Sequence, residues 1–127
     1  MENKKFYITT ALPYASGKSH IGNVYEDVLA DSIARYKRQD GYDVHFQVGL
    51  DEHGLKIETK AKEAGLTPQE YVDNISVGFK GMLDQLNISY DIYSNTHTKT
   101  HEKITTDFFL ELYKNGWKYF DEVQYKS

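Results

Sequence analysis

The sequence contains no cysteine, and this absence excludes both a disulfide framework and a zinc site built on thiolates. It also has no apolar run long enough to cross a bilayer, and its first residues lack the apolar stretch of a secretory signal. Basic residues do not dominate, because 15 lysines and arginines face 19 acidic residues, for a net charge of -4. A nucleic-acid clamp is therefore not indicated, and we expect a cytoplasmic protein that binds neither DNA nor membranes.

Hydrophobic residues make up 39% of the 127 residues and aromatic residues 14%, which is enough to build a folded core. This length suits one domain or one half of a larger domain. The order of strand, helix, strand and further helices predicts an α/β fold, the first half of a doubly wound parallel sheet with extra helices. In such a sheet, ligands bind at the carboxyl ends of the strands.

Hydrophobic periodicity and the positions of Gly and Pro predict the individual elements. They are a strand over 6–10, a helix over about 23–39, a strand over 44–48, a short helix over 55–64, a helix starting at Thr67, an irregular stretch over 87–95, a helix over 100–114 and the start of a strand over 117–125. The clearest signal is the start of the third helix. Thr67 can cap it, Pro68 suits its first turn, and Glu70 can close a capping box.

Three of the predicted helices carry apolar residues at helical spacing, and packing against a core is the ordinary explanation of such stripes. The stripes are Val24, Val28, Leu29, Ile33 and Tyr36 on the first helix, Tyr71, Ile75, Phe79, Met82, Leu83 and Leu86 on the third, and Ile104, Phe108 and Leu112 on the last. We expect these faces to point inward.

The most informative segment is residues 11–23, between the first strand and the first helix. A helix start offers unpaired N–H groups and the positive end of the helix dipole, so it favours phosphate. His20 can donate hydrogen bonds to phosphate oxygens and stabilise charge on an attacked α-phosphate. Gly22 allows close approach of a nucleotide, Asn23 offers an amide donor, and Lys18 adds a mobile positive charge. On these residues alone, a simple helix cap beside a surface histidine is the commoner explanation.

A second polar segment, Gly49-Leu50-Asp51-Glu52-His53-Gly54, follows the second strand. Taken alone it is a polar turn. Because it lies at the end of the next strand, it is better interpreted as the other wall of the site that begins in residues 11–23.

His97 and His101 are four residues apart, a spacing at which two side chains on one helix face can bind a metal. No third ligand is clearly placed with them, although Glu102 adjoins. A solvated helix start explains them better, so we predict no metal site.

The stretch Thr-Thr-Ala-Leu-Pro-Tyr-Ala-Ser-Gly-Lys-Ser-His-Ile-Gly-Asn, residues 9–23, resembles the signature region of the class I aminoacyl-tRNA synthetases, which usually ends in His-Ile-Gly-His. Its Ala-Leu-Pro-Tyr-Ala-x-Gly part is similar to the methionine-specific branch in particular. The Asp-Glu-His-Gly segment supports the same branch, with Leu50 in place of the usual Thr, and so does Lys56-Ile57-Glu58. Asn23 stands where the second histidine normally lies, although its amide can still donate a hydrogen bond.

The resemblance implies a Rossmann-like catalytic domain of the HUP type, with methionine, ATP accompanied by Mg²⁺, and tRNA(Met) as substrates, and no zinc site within this chain. It implies that His20 and Asn23 are catalytic. The residues implied to bind ATP are Tyr14, Gly17, Lys18, His20, Gly22 and Asn23. Those implied to bind methionine are Ala11, Leu12, Tyr14, Asp51 and His53. Asp51 would bind the α-ammonium group, and Gly49 and Gly54 would leave room for the ligand.

The family completes its site with a Lys-Met-Ser-Lys-Ser loop from a second half, and no such segment occurs in this sequence. We therefore expect residues 1–116 to form the amino-terminal half of the catalytic domain and residues 117–127 to begin an inserted connective domain. The parent enzyme would make methionyl adenylate and pyrophosphate and then charge tRNA(Met), bound through other domains, whereas this segment alone would be inactive. Two alternatives stay open: a stand-alone module that binds nucleotide or amino acid, and another class I synthetase or nucleotidyltransferase.

Overall fold

The structure is a computed structural model that describes residues 4–116. Its elements, in chain order, are β1 (Lys5–Thr9), α1 (Ile21–Gln39), β2 (Asp43–Leu50), α2 (Leu55–Glu63), α3 (Pro68–Gln85), β3 (Ile92–Asn95) and α4 (Lys99–Lys114). They belong to two compact units, Met1–His97 and Thr98–Ser127. The first unit contains the sheet and the helices α1 to α3, and α4 belongs to the second.

The three strands form one parallel sheet with β2 in the centre. β1 pairs with β2 from Lys5 opposite Asp43, and β2 pairs with β3 from Gln47 opposite Ile92. α1 connects the first pair of strands, and α2 with α3 connects the second, because parallel neighbours require crossover connections. The α/β fold with parallel strands is therefore confirmed, and the carboxyl ends of β1 and β2 lie at the same edge of the sheet.

β3 corrects the prediction that residues 87–95 are irregular. The strand has only four residues, Ile-Tyr-Ser-Asn, which is too short for an alternating pattern to stand out. Its pairing starts at Asp91, whose carboxylate accepts the Phe46 N–H at 2.7 Å and whose own N–H donates to the Phe46 carbonyl at 2.8 Å. A contact between distant parts of the chain therefore defines this strand.

The core of the first unit combines buried side chains from α1, β2, α2 and α3. Its largest fully buried hydrophobic side chains are Phe46, Val48, Leu50, Ile57 and Leu83. The predicted stripe of α3 supplies Phe79 and Leu83 to this core, and Tyr71, Ile75 and Met82 pack against it. Val72 and Ser76 complete the buried face of the helix, whereas Leu86 stays exposed. The inward face of α3 is thus confirmed, with Leu86 as the exception.

α1 turns a different face toward the core from the one predicted. Its buried residues are Asp27, Ala30, Asp31 and Ala34. Four members of the predicted stripe are between 39% and 61% exposed, namely Val28, Leu29, Ile33 and Tyr36. The small alanines let the helix approach the sheet closely, and hydrogen bonds satisfy the buried Asp31. The expectation of an inward stripe is wrong here, because periodicity reveals an apolar face without saying which face meets the sheet.

α4 has no buried residue among those that the structure describes. Ile104 and Phe108, which were expected to point inward, are 63% and 66% exposed, so that expectation is wrong for both. Helical spacing predicted the apolar face correctly, but residues 98–116 contain nothing that covers it. The strand predicted over 117–125 and the domain expected over 117–127 lie outside the described residues.

Both long helices of the first unit begin with a reciprocal cap. At α3, Thr67 accepts the Glu70 N–H and the Glu70 carboxylate accepts the Thr67 N–H, so the predicted capping box is confirmed. α1 begins at Ile21, slightly earlier than predicted, because His20 caps it. Over residues 4–116, no helix combines the length and the apolar character that a membrane crossing requires.

Candidate active site

The two segments predicted to carry the chemistry lie at the carboxyl edge of the sheet. The first loop comprises residues 10–20, between β1 and α1, and the second loop comprises residues 51–54, between β2 and α2. The second loop is shorter than the predicted 49–54 segment, because β2 continues to Leu50.

Two backbone hydrogen bonds join the loops. The Ala15 N–H donates to the Asp51 carbonyl at 2.8 Å, and the Asp51 N–H donates to the Pro13 carbonyl at 3.0 Å. They form a parallel bridge between Tyr14 and Asp51, which extends the pairing of β1 and β2 beyond the strands. The two sequence blocks are therefore parts of one local structure.

Two glycines make this close packing possible. A Cβ atom at Gly49 would lie 1.9 Å from the Ser94 carbonyl oxygen of β3. Gly54 has a φ of +134°, which side-chain-bearing residues rarely adopt, and a Cβ there would lie 2.2 Å from the Tyr14 hydroxyl. Atoms of the chain itself occupy the space that a side chain at either glycine would fill. The expectation that both glycines also leave room for a ligand stays a prediction.

The start of α1 fixes the orientation of two predicted catalytic side chains. His20 Nδ1 accepts the Gly22 N–H at 3.1 Å, and Asn23 Oδ1 accepts the His20 N–H at 3.2 Å. Because Nδ1 accepts, the neutral imidazole carries its hydrogen on Nε2. Because Asn23 Oδ1 accepts, the amide nitrogen of Asn23 is left as the donor. A Cβ at Gly22 would lie 2.9 Å from His20 Cε1, so glycine lets the imidazole fold over the first turn.

A cavity of ≈ 330 Å³ opens between the first loop, the start of α1 and the start of α2. It is lined by Pro13, Tyr14, Ser16, Gly17, Lys18, Ser19, His20, Asn23, Leu50 and Lys56. Five of the six predicted nucleotide-binding residues are in this lining, and Gly22 lies beside it in the first turn of α1. In the sequence, Lys56 only supports the family resemblance and has no predicted role in binding. Its position one residue into α2 brings a second cation to the cavity, a placement that only the folded chain reveals.

The residues predicted to bind methionine are less concentrated. Of these, Tyr14 alone lines the cavity, and Asp51 is joined to it by the loop bridge. Leu12 is 37% exposed and packs beside Gly49. The Ala11 N–H donates to the Glu26 carboxylate at 2.6 Å. No sequence pattern marks this contact, because the partner lies on the next element.

The second loop is also held on its other side, by residues 95–97, here called the 95–97 segment. The Glu52 N–H donates to the Thr96 hydroxyl at 2.9 Å, and His53 Nε2 donates to the Thr96 carbonyl at 3.1 Å. The Glu52 carboxylate accepts hydrogen bonds from Asn95, at 2.8 Å, and from His97. His53, predicted to bind methionine, thus has one ring nitrogen committed to the backbone.

These contacts change the interpretation of His97 and His101. α4 begins after its cap Thr98, whose hydroxyl accepts the His101 N–H at 3.3 Å. His97 therefore precedes the helix, so the two rings do not share one helix face. In the described part of the chain, no group of three His, Asp or Glu side chains is arranged to hold a metal ion.

One carboxyl group near the first loop is electrostatically unusual. Asp27 of α1 is 1% exposed, and burial raises its pKa to about 6, with a further contribution from the charge of Glu26. The nearby Thr10 hydroxyl offsets part of this rise in pKa. Among the described residues, neither the Thr10 hydroxyl nor Asp27 Oδ2 has a hydrogen-bond partner of normal geometry.

Comparison with known proteins gives a consistent result. A family model described as tRNA synthetases class I (M) matches residues 6–126. The chain is similar to methionine--tRNA ligase 1 of Bacillus cereus, with 49% identity over 123 residues that cover 97% of this chain and 19% of that protein. It is 52% identical over 112 residues to the methionine--tRNA ligase of Streptococcus pneumoniae, covering 88% of this chain and 17% of that protein.

A solved structure agrees with the sequence relatives. Mycobacterium tuberculosis methionyl-tRNA synthetase in complex with methionyl-adenylate superposes with a TM-score of 0.85 and 37% identity. The superposition covers 89% of this chain and 22% of that one. The chain therefore spans about a fifth of the length of the relatives that it matches.

Proposed function

Since the chain belongs to the class I (M) family of tRNA synthetases, we propose that it forms the amino-terminal half of the catalytic domain of a methionine–tRNA ligase. In this proposal residues 1–116 provide walls for ATP and methionine, and residues 117–127 begin an inserted connective domain. The whole enzyme acts in the cytoplasm, where it activates methionine with ATP and then charges tRNA(Met). tRNA is bound mainly through other domains, in keeping with the net charge of -4.

The observation that carries the proposal is the bridge between Tyr14 and Asp51 beside the cationic cavity. It joins Asp51, whose carboxylate suits an ammonium group, to the loop that lines a pocket suited to phosphates. That pocket is lined by two lysines, Lys18 and Lys56, and by His20, which can donate hydrogen bonds. A methionine carboxylate and an ATP α-phosphate can meet only where two such walls adjoin.

ATP enters as its Mg²⁺ complex, and its phosphates lie at the start of α1. Backbone N–H groups and the helix dipole favour negative charge there. His20 donates from Nε2 and Asn23 donates from its amide nitrogen to the α-phosphate, which becomes more negative as the methionine carboxylate attacks it. Lys18 and Lys56 neutralise charge on the departing pyrophosphate. The protein supplies position and charge rather than a covalent intermediate.

Methionine lies on the other side of the bridge. Asp51 accepts a charge-assisted hydrogen bond from the α-ammonium. Tyr14 and Leu12 contact the side chain, because an aromatic face and an aliphatic group suit a thioether. Ala11 and His53 border this pocket.

The decisive experiment uses the product of the complete reading frame that contains these codons. Pyrophosphate exchange is measured with each standard amino acid in turn, and only methionine is expected to support it. Exchange driven by leucine or isoleucine instead would overturn the methionine assignment. The 127-residue chain alone is expected to give weak or no exchange, and rates comparable to the complete protein would contradict the proposed division of the site.

Single substitutions can test the methionine wall and the ATP wall separately, because each should change the KM of only one substrate. Asp51→Ala is expected to raise the methionine KM by about tenfold to a hundredfold, since a hydrogen bond to a charged group contributes about 1.5–3 kcal/mol, with little change for ATP. Asp43→Ala, at the exposed start of the strand that precedes Asp51, is the matched control. Equal effects of Asp51→Ala on both substrates would remove Asp51 from its proposed role.

Lys56→Gln is expected to raise the ATP KM several-fold and leave the methionine KM unchanged. Lys62→Gln, on the same helix but outside the cavity lining, is the matched control. The same effect from both substitutions would mean that only net charge matters, and Lys56 would have no specific place in the site.

A further inference from the structure

A carboxylate without solvent contact lies directly after Asp51. The Glu52 side chain is 0% exposed. Oε1 accepts a hydrogen bond from Asn95 Nδ2 at 2.8 Å, and Oε2 accepts one from His97 Nδ1. A buried carboxylate costs several kcal/mol unless it is hydrogen-bonded and paired. Nothing in the proposed reaction uses this group, so its placement calls for another explanation.

His97 lies between two carboxylates. Because a carboxylate only accepts, His97 Nδ1 carries the hydrogen of the bond to Glu52. Nε2 lies 3.9 Å from Asp73 Oδ1 of α3, which is too far for a hydrogen bond but close enough for attraction when the ring is charged. Burial raises the pKa of Tyr93, beside this pair, to about 12, and the neighbouring Glu52 contributes to that rise.

Asp51 is held from both sides by these contacts and the loop bridge. On one side, its backbone N–H and carbonyl bond to Pro13 and Ala15. On the other side, four hydrogen bonds tie Glu52 and His53 to the 95–97 segment. The carboxylate of Asp51 is therefore carried by a residue whose backbone has little freedom to move.

We propose that Glu52 and His97 are positioning residues, which fix the Asp51 carboxylate at the place where the α-ammonium of methionine binds. The inference rests on the proposed function. A displacement of about 1 Å at a binding group is enough to cost a large part of its effect. The ATP wall lies on the first loop, the start of α1 and Lys56, whereas the pair ties the second loop to the 95–97 segment. The loss of the pair is therefore expected to change the ATP affinity much less than the methionine affinity.

The test measures methionine and ATP KM values in pyrophosphate exchange with the product of the complete reading frame. Glu52→Ala and His97→Ala are each expected to raise the methionine KM about tenfold and to leave the ATP KM within about twofold. His97→Asn places an amide nitrogen near the position of Nδ1, so it is expected to restore most of the methionine affinity. A role in packing alone would not produce that recovery.

Asp31→Asn is the matched control, because Asp31 is another buried, multiply hydrogen-bonded carboxylate of the same unit. It is expected to lower the melting temperature without changing the methionine KM. Glu52→Gln keeps the side-chain volume, and His97→Asn keeps a hydrogen-bond donor near the position of Nδ1, so both remain informative if the alanine variants fail to fold.

Three results would each overturn the inference: equal increases in both KM values, a methionine KM insensitive to Glu52 and His97, or a folded His97→Asn protein as impaired as His97→Ala. Failure of the proposed function is distinguishable from these. In that case Asp51→Ala itself would leave the methionine KM unchanged.

Discussion

β3 is anchored at both of its ends by a buried carboxylate, and the two anchors differ in their counter-charges. Before the strand, Asp31 accepts hydrogen bonds from Ser89 N–H at 2.7 Å and from Arg35 Nε at 2.7 Å. Burial alone would raise the pKa of Asp31, but the bonds from Ser89 and Arg35 outweigh burial and hold that pKa below its ordinary value. At the end of the strand and after it, the Glu52 carboxylate accepts hydrogen bonds from the Asn95 amide and the His97 imidazole.

The difference in counter-charge suits the two buried carboxylates to different roles, one in the fold and one in the site. A guanidinium is always charged, so the Asp31 anchor keeps its strength over the whole physiological pH range. The Glu52 anchor has no such partner, because its donors are the Asn95 amide and the His97 imidazole. The Asp31 anchor, here called the permanent anchor, holds the chain before β3, whereas the Glu52 anchor, here called the loop anchor, adjoins Asp51. We infer that the first maintains the fold and the second maintains the geometry of the site.

The largest effect on stability is expected when the permanent anchor is removed. Asp31→Ala leaves the Ser89 N–H and Arg35 without their acceptor, and it should lower the free energy of unfolding by about 3 kcal/mol. Because the folded pKa is lowered, Asp31 stabilises the fold above its unfolded pKa and loses this effect only as the pH falls through the folded value. Urea unfolding at about pH 5 and about pH 8 should therefore give the same loss. A loss confined to one pH would contradict a permanent anchor.

The next effect concerns the packing beside the loop anchor. Gly54→Ala forces a Cβ toward the Tyr14 hydroxyl in a backbone conformation that alanine resists, and it should cost about 2–3 kcal/mol. Tyr14→Phe removes the oxygen, so the same substitution in that background should cost about half as much. Thermal unfolding of the double-mutant cycle measures the coupling. Additive effects would show that backbone strain alone is responsible.

Asp27 sharpens the comparison, because it lies one helical turn before Asp31 and behaves in the opposite way. Its pKa is raised from 3.8 to about 6, so folding is favoured below about pH 4 and this advantage is lost as the pH rises through 6. Asp27→Asn should therefore stabilise the protein by about 2 kcal/mol at neutral pH and by almost nothing in acid. Unfolding curves at the two pH values test this. A pH-independent gain would point to packing instead of charge.

The smallest effect is expected at the exposed edge of the permanent anchor. Arg38 donates to the Ser89 carbonyl at 3.0 Å and to Asp91 at 2.9 Å, but both charged side chains are about one-third exposed or more. Arg38→Ala should cost about 1 kcal/mol, and added salt should reduce that cost. Melting temperatures with and without salt provide the measurement. A cost as large as that of Asp31→Ala would place the main strength of the anchor at Arg38.

The features that the sequence predicted well are those whose interacting residues are close together in the chain. The capping box at Thr67 and Glu70 is readable because its partners are three residues apart, and the two loops are readable because each follows a strand. The sequence does not reveal the buried face of α1, because Ala30 and Ala34 are too small to stand out in a hydrophobic pattern. β3 was missed because its pairing depends on Asp91 and Phe46, which are distant in the chain.

The same limit applied within the site. The nucleotide-binding candidates lie in one continuous segment, from Tyr14 to Asn23, and their clustering around a cavity followed from that. Lys56 and Glu26 reach the first loop from other elements, so no local pattern marks them. The Glu52–His97 pair joins residues on opposite sides of α2 and α3 in the chain, and only the folded arrangement brings the two together.

The bridge between Tyr14 and Asp51 has a thermodynamic consequence. Its two hydrogen bonds make the loops one mechanical body, so ordering either loop restricts the other. Ligands held on the two loops would then share the entropy cost of that ordering, and the second to arrive would meet a smaller cost. By reciprocity, amino acid and nucleotide would each raise the affinity of the other by the same factor. Cooperativity between two substrates would thus originate in two backbone bonds, without any contact between the substrates themselves.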